Sequence, residues 1–238
     1  MKPILCIESG TNTCSVALGF GQELLGIREN HEPNNNHAKN LTVFSQELLN
    51  EQGLQASDLA AVAVSKGPGS YTGLRIGVSA AKGICFGAGI PLIAIGSLDS
   101  MAHGAIEWLG KQRPTLTLDI ICPMIDARRM EVYTQFFDTH GQPLSEVEAK
   151  ILDEKSFAET LTSKRMLFLG NGSQKAKAML SSPNALFVDD FLPSAKFMLP
   201  LATERFNHQQ FVDVAYFEPL YLKDFVATVA KNKVLGGN

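Results

Sequence analysis

The chain has 238 residues, 45% of them hydrophobic and 19% charged, enough for one large or two modest domains with packed cores. Its formal charge of −3 at pH 7 and pI of about 6.0 supply no basic field, which argues against tight autonomous binding to a nucleic-acid backbone. No stretch approaches a membrane span free of charge and turn residues, and Met1–Ile7 runs into a strand pattern without a full apolar signal region or cleavage site, so a soluble cytoplasmic protein is expected.

Ile4–Ile7 and Ser15–Phe20 read as strands joined by the tight polar turn Ser9-Gly10-Thr11-Asn12-Thr13, and Gln22–Arg28 adds a third. After the polar insert Asn34-Asn35-Asn36, the apolar residues Leu41, Phe44, Leu48 and Leu49 recur at helical spacing from His37, and Gly53 ends the helix. Leu59–Ser65 is a strand. The loop Gly67-Pro68-Gly69-Ser70 follows it, then a helix rich in small residues to about Ala88. Glycines at 67 and 69 permit positive φ or close backbone approach, and a helix beginning just after them turns free N–H groups and its positive dipole end toward the loop. That suits a phosphate or carboxylate. Yet no Gly-Lys-Ser/Thr follows, and Thr72 stands where the third glycine of a dinucleotide fingerprint belongs, so the spacing alone is a weak signal.

Pro91–Ile95 gives a further strand, and Ser97 is the expected N-cap of a helix reaching Trp108. Three strands, helix, strand, helix, strand, helix describes a complete α/β unit with a mixed sheet. Gly110–Pro114 reads as a linker. Beyond it Leu118–Ile125 and Glu131–Phe137 pair around Asp126-Ala127-Arg128-Arg129, and Met166–Leu169 runs into Gly170-Asn171-Gly172-Ser173 and a short helix to Met179. The expected architecture is two related α/β lobes, residues 1–110 and 111–238, with the final segment packing back on the first. Part of the tail, Val226–Asn238, has weak pattern and is expected to be disordered. Cys6, Cys14, Cys85 and Cys122 lie far apart among apolar or small residues with no C-x-x-C pair, which predicts reduced, buried thiols.

Ile7–Leu18, the glycine loop with its continuation to Gly77, and Asp126–Arg129 together resemble the TsaB (YeaZ) family of bacterial tRNA threonylcarbamoyladenosine biosynthesis proteins, within the actin-like (ASKHA, ribonuclease H-like) ATPase superfamily. The likeness is strong over the first 135 or so residues and continues at Pro219-Leu220-Tyr221-Leu222-Lys223. It implies two actin-like lobes and a non-catalytic scaffold that dimerises alone and binds the metal-containing transferase paralogue, TsaD. The small ATPase TsaE and threonylcarbamoyl-adenylate synthase are further implied partners, with tRNA engaged only indirectly in modification of its adenosine 37. No cofactor and no metal are expected for this chain. The transferase holds its metal with two histidines at i and i+4; Ser97 and Met101 stand at those positions here, and both are poor ligands for iron or zinc. His103 and Glu107 alone are too few for a metal site.

For the partner interface the resemblance points to the first two helices, at His37, Leu41, Leu74, Arg75, Gly77, Val78 and Ala81. The small flank of the second helix reads equally as close internal packing, since glycine inside a helix costs about 0.5–1 kcal/mol relative to alanine and that cost needs an offset. The nucleotide loops of the superfamily are half present: Glu8, Gly10 and Thr11 in the first, Gly67, Gly69 and Ser70 beside it, and Gly170 and Gly172 in the adenosine loop. In the second phosphate loop Asp126 is followed by Ala127, Arg128 and Arg129, whose side chains fill space that phosphate needs, so hydrolysis by this chain alone is not expected. Glu8–Asn12 reads equally as a plain hairpin turn, and Asp126, Arg128 and Arg129 as a solvated hairpin tip. An ATP-dependent enzyme and a metallopeptidase are the rival readings, the latter without an H-E-x-x-H helix.

Overall fold

β1 (Ile4–Glu8), β2 (Cys14–Phe20), β3 (Glu23–Asn30), β4 (Ala61–Gly67) and β5 (Leu92–Gly96) form one mixed sheet in the order β3-β2-β1-β4-β5. The structure is a computed structural model and describes residues 2–32 and 36–223. The strands β1, β4 and β5 are nearly all apolar because both faces of the sheet are covered. Leu5, Ile7, Val62 and Val64 point to one face, where α1 (His37–Glu51) and α2 (Tyr71–Ala88) lie; Ile4, Cys6, Ala61 and Ala63 point to the other. Asn36 caps α1 by accepting the Lys39 N–H at 3.1 Å, and Ser70 caps α2 by accepting the Gly73 N–H at 3.2 Å. Gly53 and Gly89 close these helices with φ of +65° and +66°. Ser97 is the first residue of α3 (Ser97–Gln112) and not its cap, which falls to Gly96 in extended backbone.

The second sheet comprises β6 (Ile120–Asp126), β7 (Glu131–Thr134), β8 (Glu148–Ile151), β9 (Met166–Leu169) and β10 (Ala185–Phe187), in the order β10-β9-β6-β7-β8. Its pairing repeats the first: β6 is antiparallel to β7 and parallel to β9, as β1 is to β2 and β4. Two mixed sheets flanked by helices make the related actin-like lobes that the resemblance implies. β7 is shorter than the expected Glu131–Phe137, although Phe137 still bridges back to Ile121 through two backbone hydrogen bonds of 2.8 and 2.9 Å. Short helices α4 (Ala158–Leu161) and α5 (Ser173–Lys177) lie on one face with Phe157, Phe168 and Ala176. The other face packs on Leu98, Met101, Ala102 and Ala105 of α3.

The chain then returns to the first sheet. A 3-10 turn over Ala195–Met198 and α6 (Leu199–Asn207) bury Ala195, Met198, Leu199 and Ala202 against Ile4, Cys6, Ala17, Ile93 and Ile95. Polar ties lock the return in place: Ala195 N–H donates to Ser15 Oγ at 2.8 Å and Gly21 N–H to Thr203 Oγ1 at 2.7 Å. All four cysteines are free and buried, and burial pushes Cys14 and Cys85 up to about 11 and Cys122 up to about 12. Among the described residues no helix is long and apolar enough to cross a membrane. The expectation for Val226–Asn238 lies outside the described residues.

Candidate ligand cleft and partner face

The turn between β1 and β2 and the start of α2 fit together through missing side chains. Ser70 N–H donates to Gly10 O at 2.6 Å, and a Cβ on Gly69 would collide with that same carbonyl. One helical turn on, a Cβ on Gly73 would strike the Ser9 carbonyl oxygen; a further turn on, one on Gly77 would strike Ser9 Oγ. The i, i+4, i+8 spacing of Gly69, Gly73 and Gly77 is thus a groove for the turn. Glu8 sits below it at 1% exposure, with Oε1 accepting the Gly10 N–H at 2.6 Å. Burial pushes its carboxyl up to about 7, against the opposing pull of the Gly10 N–H, the Ser65 hydroxyl and the Ser9 N–H. Among the described residues Glu8 Oε2, Ser9 Oγ and Ser97 Oγ have no hydrogen-bond partner.

In the second lobe the β6–β7 hairpin occupies the place of the β1–β2 turn, and the β9–α5 loop that of the β4–α2 loop. Gly67 and Gly170, each at or just after a strand end, have φ of +104° and +93°. Asp126 accepts the Arg128 N–H at 2.6 Å and Lys175 Nζ at 2.7 Å, while its own N–H donates to Asn171 Oδ1 at 2.9 Å. Arg128 and Arg129 hold φ of +69° and +46°, a left-handed pair that tight hairpins favour and non-glycine residues rarely adopt. The two sets of loops face a cleft of about 660 Å³ lined by Gly10, Thr11, Gly69, Ser70, Tyr71, Asp126, Arg128, Arg129 and Asn171. Of the predicted loop residues, Glu8, Gly67, Gly170 and Gly172 lie outside that lining and act on the backbone beneath it. A Cβ on Gly170 would collide with Met101 Cε, and one on Gly172 would lie 2.9 Å from Val132 Cγ1.

Sequence reasoning missed the lining groups Glu131, Tyr133, Leu220, Tyr221, Leu222 and Lys223. The only signal for the last four was the run Pro219–Lys223, whose likeness to relatives gave no location.

The residues expected at the partner interface separate into two groups. Leu41, Leu74, Gly77, Val78 and Ala81 are buried in the chain's own core, so their side chains are not a contact surface. His37 is half-buried, its Nε2 3.2 Å from Thr13 O, and Arg75 is exposed. The outward face of α2 instead shows Arg75, Ser79, Gly83, Phe86 and Gly87; Phe86 is 86% exposed, and a Cβ on either glycine would meet nothing within 4 Å. Val43 on α1 is exposed as well. Among the described residues no group of three or more His, Cys, Asp and Glu is placed to hold a metal. Ser97 and Met101 are buried, His103 Nδ1 lies 3.1 Å from Asp99 O, and Glu107 pairs with Lys111 at 2.6 Å.

The family model "TsaD: tRNA N6-adenosine threonylcarbamoyltransferase" matches residues 31–231. The Escherichia coli (strain K12) tRNA threonylcarbamoyladenosine biosynthesis protein TsaB is 32% identical over 231 residues, covering 94% of this chain and 96% of that protein. Its Haemophilus influenzae counterpart is 28% identical over 232 residues, 94% of each. The solved structure of YeaZ from Pseudomonas aeruginosa matches with a TM-score of 0.77 at 25% identity, over 93% of this chain and 100% of that one.

Proposed function

We propose a scaffolding role in tRNA modification, on the premise that this chain belongs to the TsaB (YeaZ) family of tRNA threonylcarbamoyladenosine biosynthesis proteins. Its pathway is therefore threonylcarbamoyladenosine synthesis. Within that pathway the chain contributes no catalytic residue: it binds TsaD and supports it, and it pairs with a second copy of itself when TsaD is absent. TsaE and threonylcarbamoyl-adenylate synthase join the same assembly, and tRNA meets it through TsaD. Residues 1–110 are the partner-binding lobe and residues 111–238 the second lobe, whose final segment packs back on the first.

The observation that supports this reading is the outward face of α2, where Phe86 stands 86% exposed beside the open backbone of Gly83 and Gly87. A large aromatic next to smooth helix backbone is the shape of a knob and a shallow seat, and such anchors dominate interface energetics. Leu41, Leu74, Gly77, Val78 and Ala81 serve the interface from within, by fixing α1 and α2 on the sheet. His37 and Arg75 stand at its rim. Phe86→Glu and Gly83→Arg should each weaken retention of TsaD by more than about tenfold in co-purification while leaving the circular dichroism unchanged. Full retention by both folded variants would defeat the interface, and normal threonylcarbamoyladenosine in tRNA after depletion of the chain would defeat the scaffold role.

A second reading, an ATP-dependent enzyme, draws on the cleft between the paired loops. The residues fit that chemistry poorly. Glu8 is committed to Gly10 below the cleft floor, and Arg128 and Arg129 stand where phosphate would need open backbone. ATP turnover by the purified chain, lost on Glu8→Gln, would favour it.

A further inference from the structure

We propose that residues 212–223 are a latch, a strap hinged on the first lobe whose tip closes the mouth of the interlobe cleft and opens without unfolding either lobe. The strap begins at the free edge of β5, where Val212 N–H donates to Leu92 O at 2.9 Å. It turns over Asp213, whose Oδ1 accepts the Ala215 and Tyr216 N–H groups at 2.7 and 2.9 Å, and Lys82 Nζ of α2 donates to Ala215 O at 2.9 Å. Leu220 N–H then donates to Lys66 O at 2.7 Å. A Cβ on Gly67 would lie 2.8 Å from Leu220 O, so the positive-φ glycine that ends β4 also makes room for the strap.

From Leu220 onward the strap lines the cleft. The Tyr221 ring lies 4.8 Å from that of Tyr71, its hydroxyl accepts Arg75 Nε at 3.2 Å, and the Arg75 guanidinium covers Tyr71 at 4.1 Å. Tyr71 and Arg75 belong to the first turns of α2, so this cluster holds the strap directly over the helix start. The next step crosses to the other lobe: Lys223 pairs with Glu131 at the root of the β6–β7 hairpin and lies 6.0 Å from the Tyr133 ring centroid.

The two ends of the strap differ in kind. Among the described residues its attachment to the first lobe is largely backbone hydrogen bonding, whereas its attachment to the second is one lysine side chain on a carboxylate and a ring. Lys223 is exposed and Glu131 half-buried, and ion pairs and cation–π contacts that keep such access to solvent are individually weak and salt-screened. The tip is therefore the part that yields first, and the device goes beyond the scaffolding role because it governs access to a cleft that role does not use.

Hydrogen exchange read by mass spectrometry on the full chain tests the latch. Lys223→Glu should speed exchange about tenfold or more both in 218–223 and in the cleft floor, 69–72, with the strands of both lobes unchanged. Glu131→Gln, which cuts the same contact from the other side and leaves the strap sequence intact, should do the same even where Lys223→Glu folds badly. The charge swap Lys223→Glu with Glu131→Lys should restore slow exchange. Unchanged exchange in Glu131→Gln, acceleration of 218–223 with no change at 69–72, or failure of the swap to restore protection would each overturn the proposal.

Discussion

Glu8 shows how full burial changes what a carboxylate is for. With its group pushed up to about 7 from an ordinary 4.5, the folded protein keeps a neutral acid where the unfolded chain already carries a charge. Between about pH 4.5 and about pH 7 the native state therefore binds more protons than the unfolded state, so stability falls as pH rises through that window and levels off above it. The size of the fall is on the order of 3 kcal/mol at most. Glu8→Gln keeps an acceptor for the Gly10 N–H and removes the charge. It should flatten this part of the pH profile and be at least as stable as the parent at about pH 8, measured by urea unfolding at about pH 5 and about pH 8. A parent whose stability rises from about pH 5 to about pH 7, with the slope kept in Glu8→Gln, would show that other groups control the profile.

At the level of one helix, α2 carries glycines with opposite duties. Gly73 and Gly77 face Ser9, while Gly83 and Gly87 face open space. Gly73→Ala and Gly77→Ala should each destabilise by about 1–3 kcal/mol through overpacking, Gly73 the more because a backbone carbonyl cannot rotate away. Gly83→Ala and Gly87→Ala should each stabilise by about 0.5–1 kcal/mol, the ordinary helix preference for alanine. Denaturant midpoints of the four variants check the sign change along a single element. The sequence showed that this helix has a small flank and that it starts just after the Gly67–Ser70 loop, because the glycines and proline of that loop mark a turn. It did not show which way the flank turns, since rotation of a helix on its sheet is set by the opposing surface. Hence Gly77, Val78 and Ala81 read as partner-facing although they are core, and Phe86 went unnoticed. The elements missed altogether, β8, β10, α4 and α6, are three to nine residues long, too short or too mixed to display a period.

Across the whole molecule, two sheets of equivalent strand order place equivalent loops on either side of one cleft, and the motif residues far apart in sequence were legible as a set only through the family resemblance. The final segment was expected to pack back on the first lobe, but the elements that do so, α6 and the strap, were not legible, because both depend on surfaces that exist only after the sheets have formed. The return also limits the independence of the first lobe. Residues 1–112 contain every strand of the first sheet, and residues 1–110 read from sequence as a complete unit, yet the face made by Ile4, Cys6, Ala17, Ile93 and Ile95 is covered by Ala195, Met198, Leu199 and Ala202 from 80 or more residues later. Burying an aliphatic side chain contributes about 1.5–3 kcal/mol, so losing that cover removes an amount comparable to the 5–15 kcal/mol stability of a typical domain. A fragment of residues 1–112 should keep much of its far-ultraviolet circular dichroism, bind anilinonaphthalene sulfonate and lack a cooperative thermal transition. In the full chain, Leu199→Ala should cost about 2–5 kcal/mol by opening a cavity at the same seam. A sharp two-state transition for the fragment without dye binding, together with a negligible cost for Leu199→Ala, would instead make the return segment an ornament on a self-sufficient lobe.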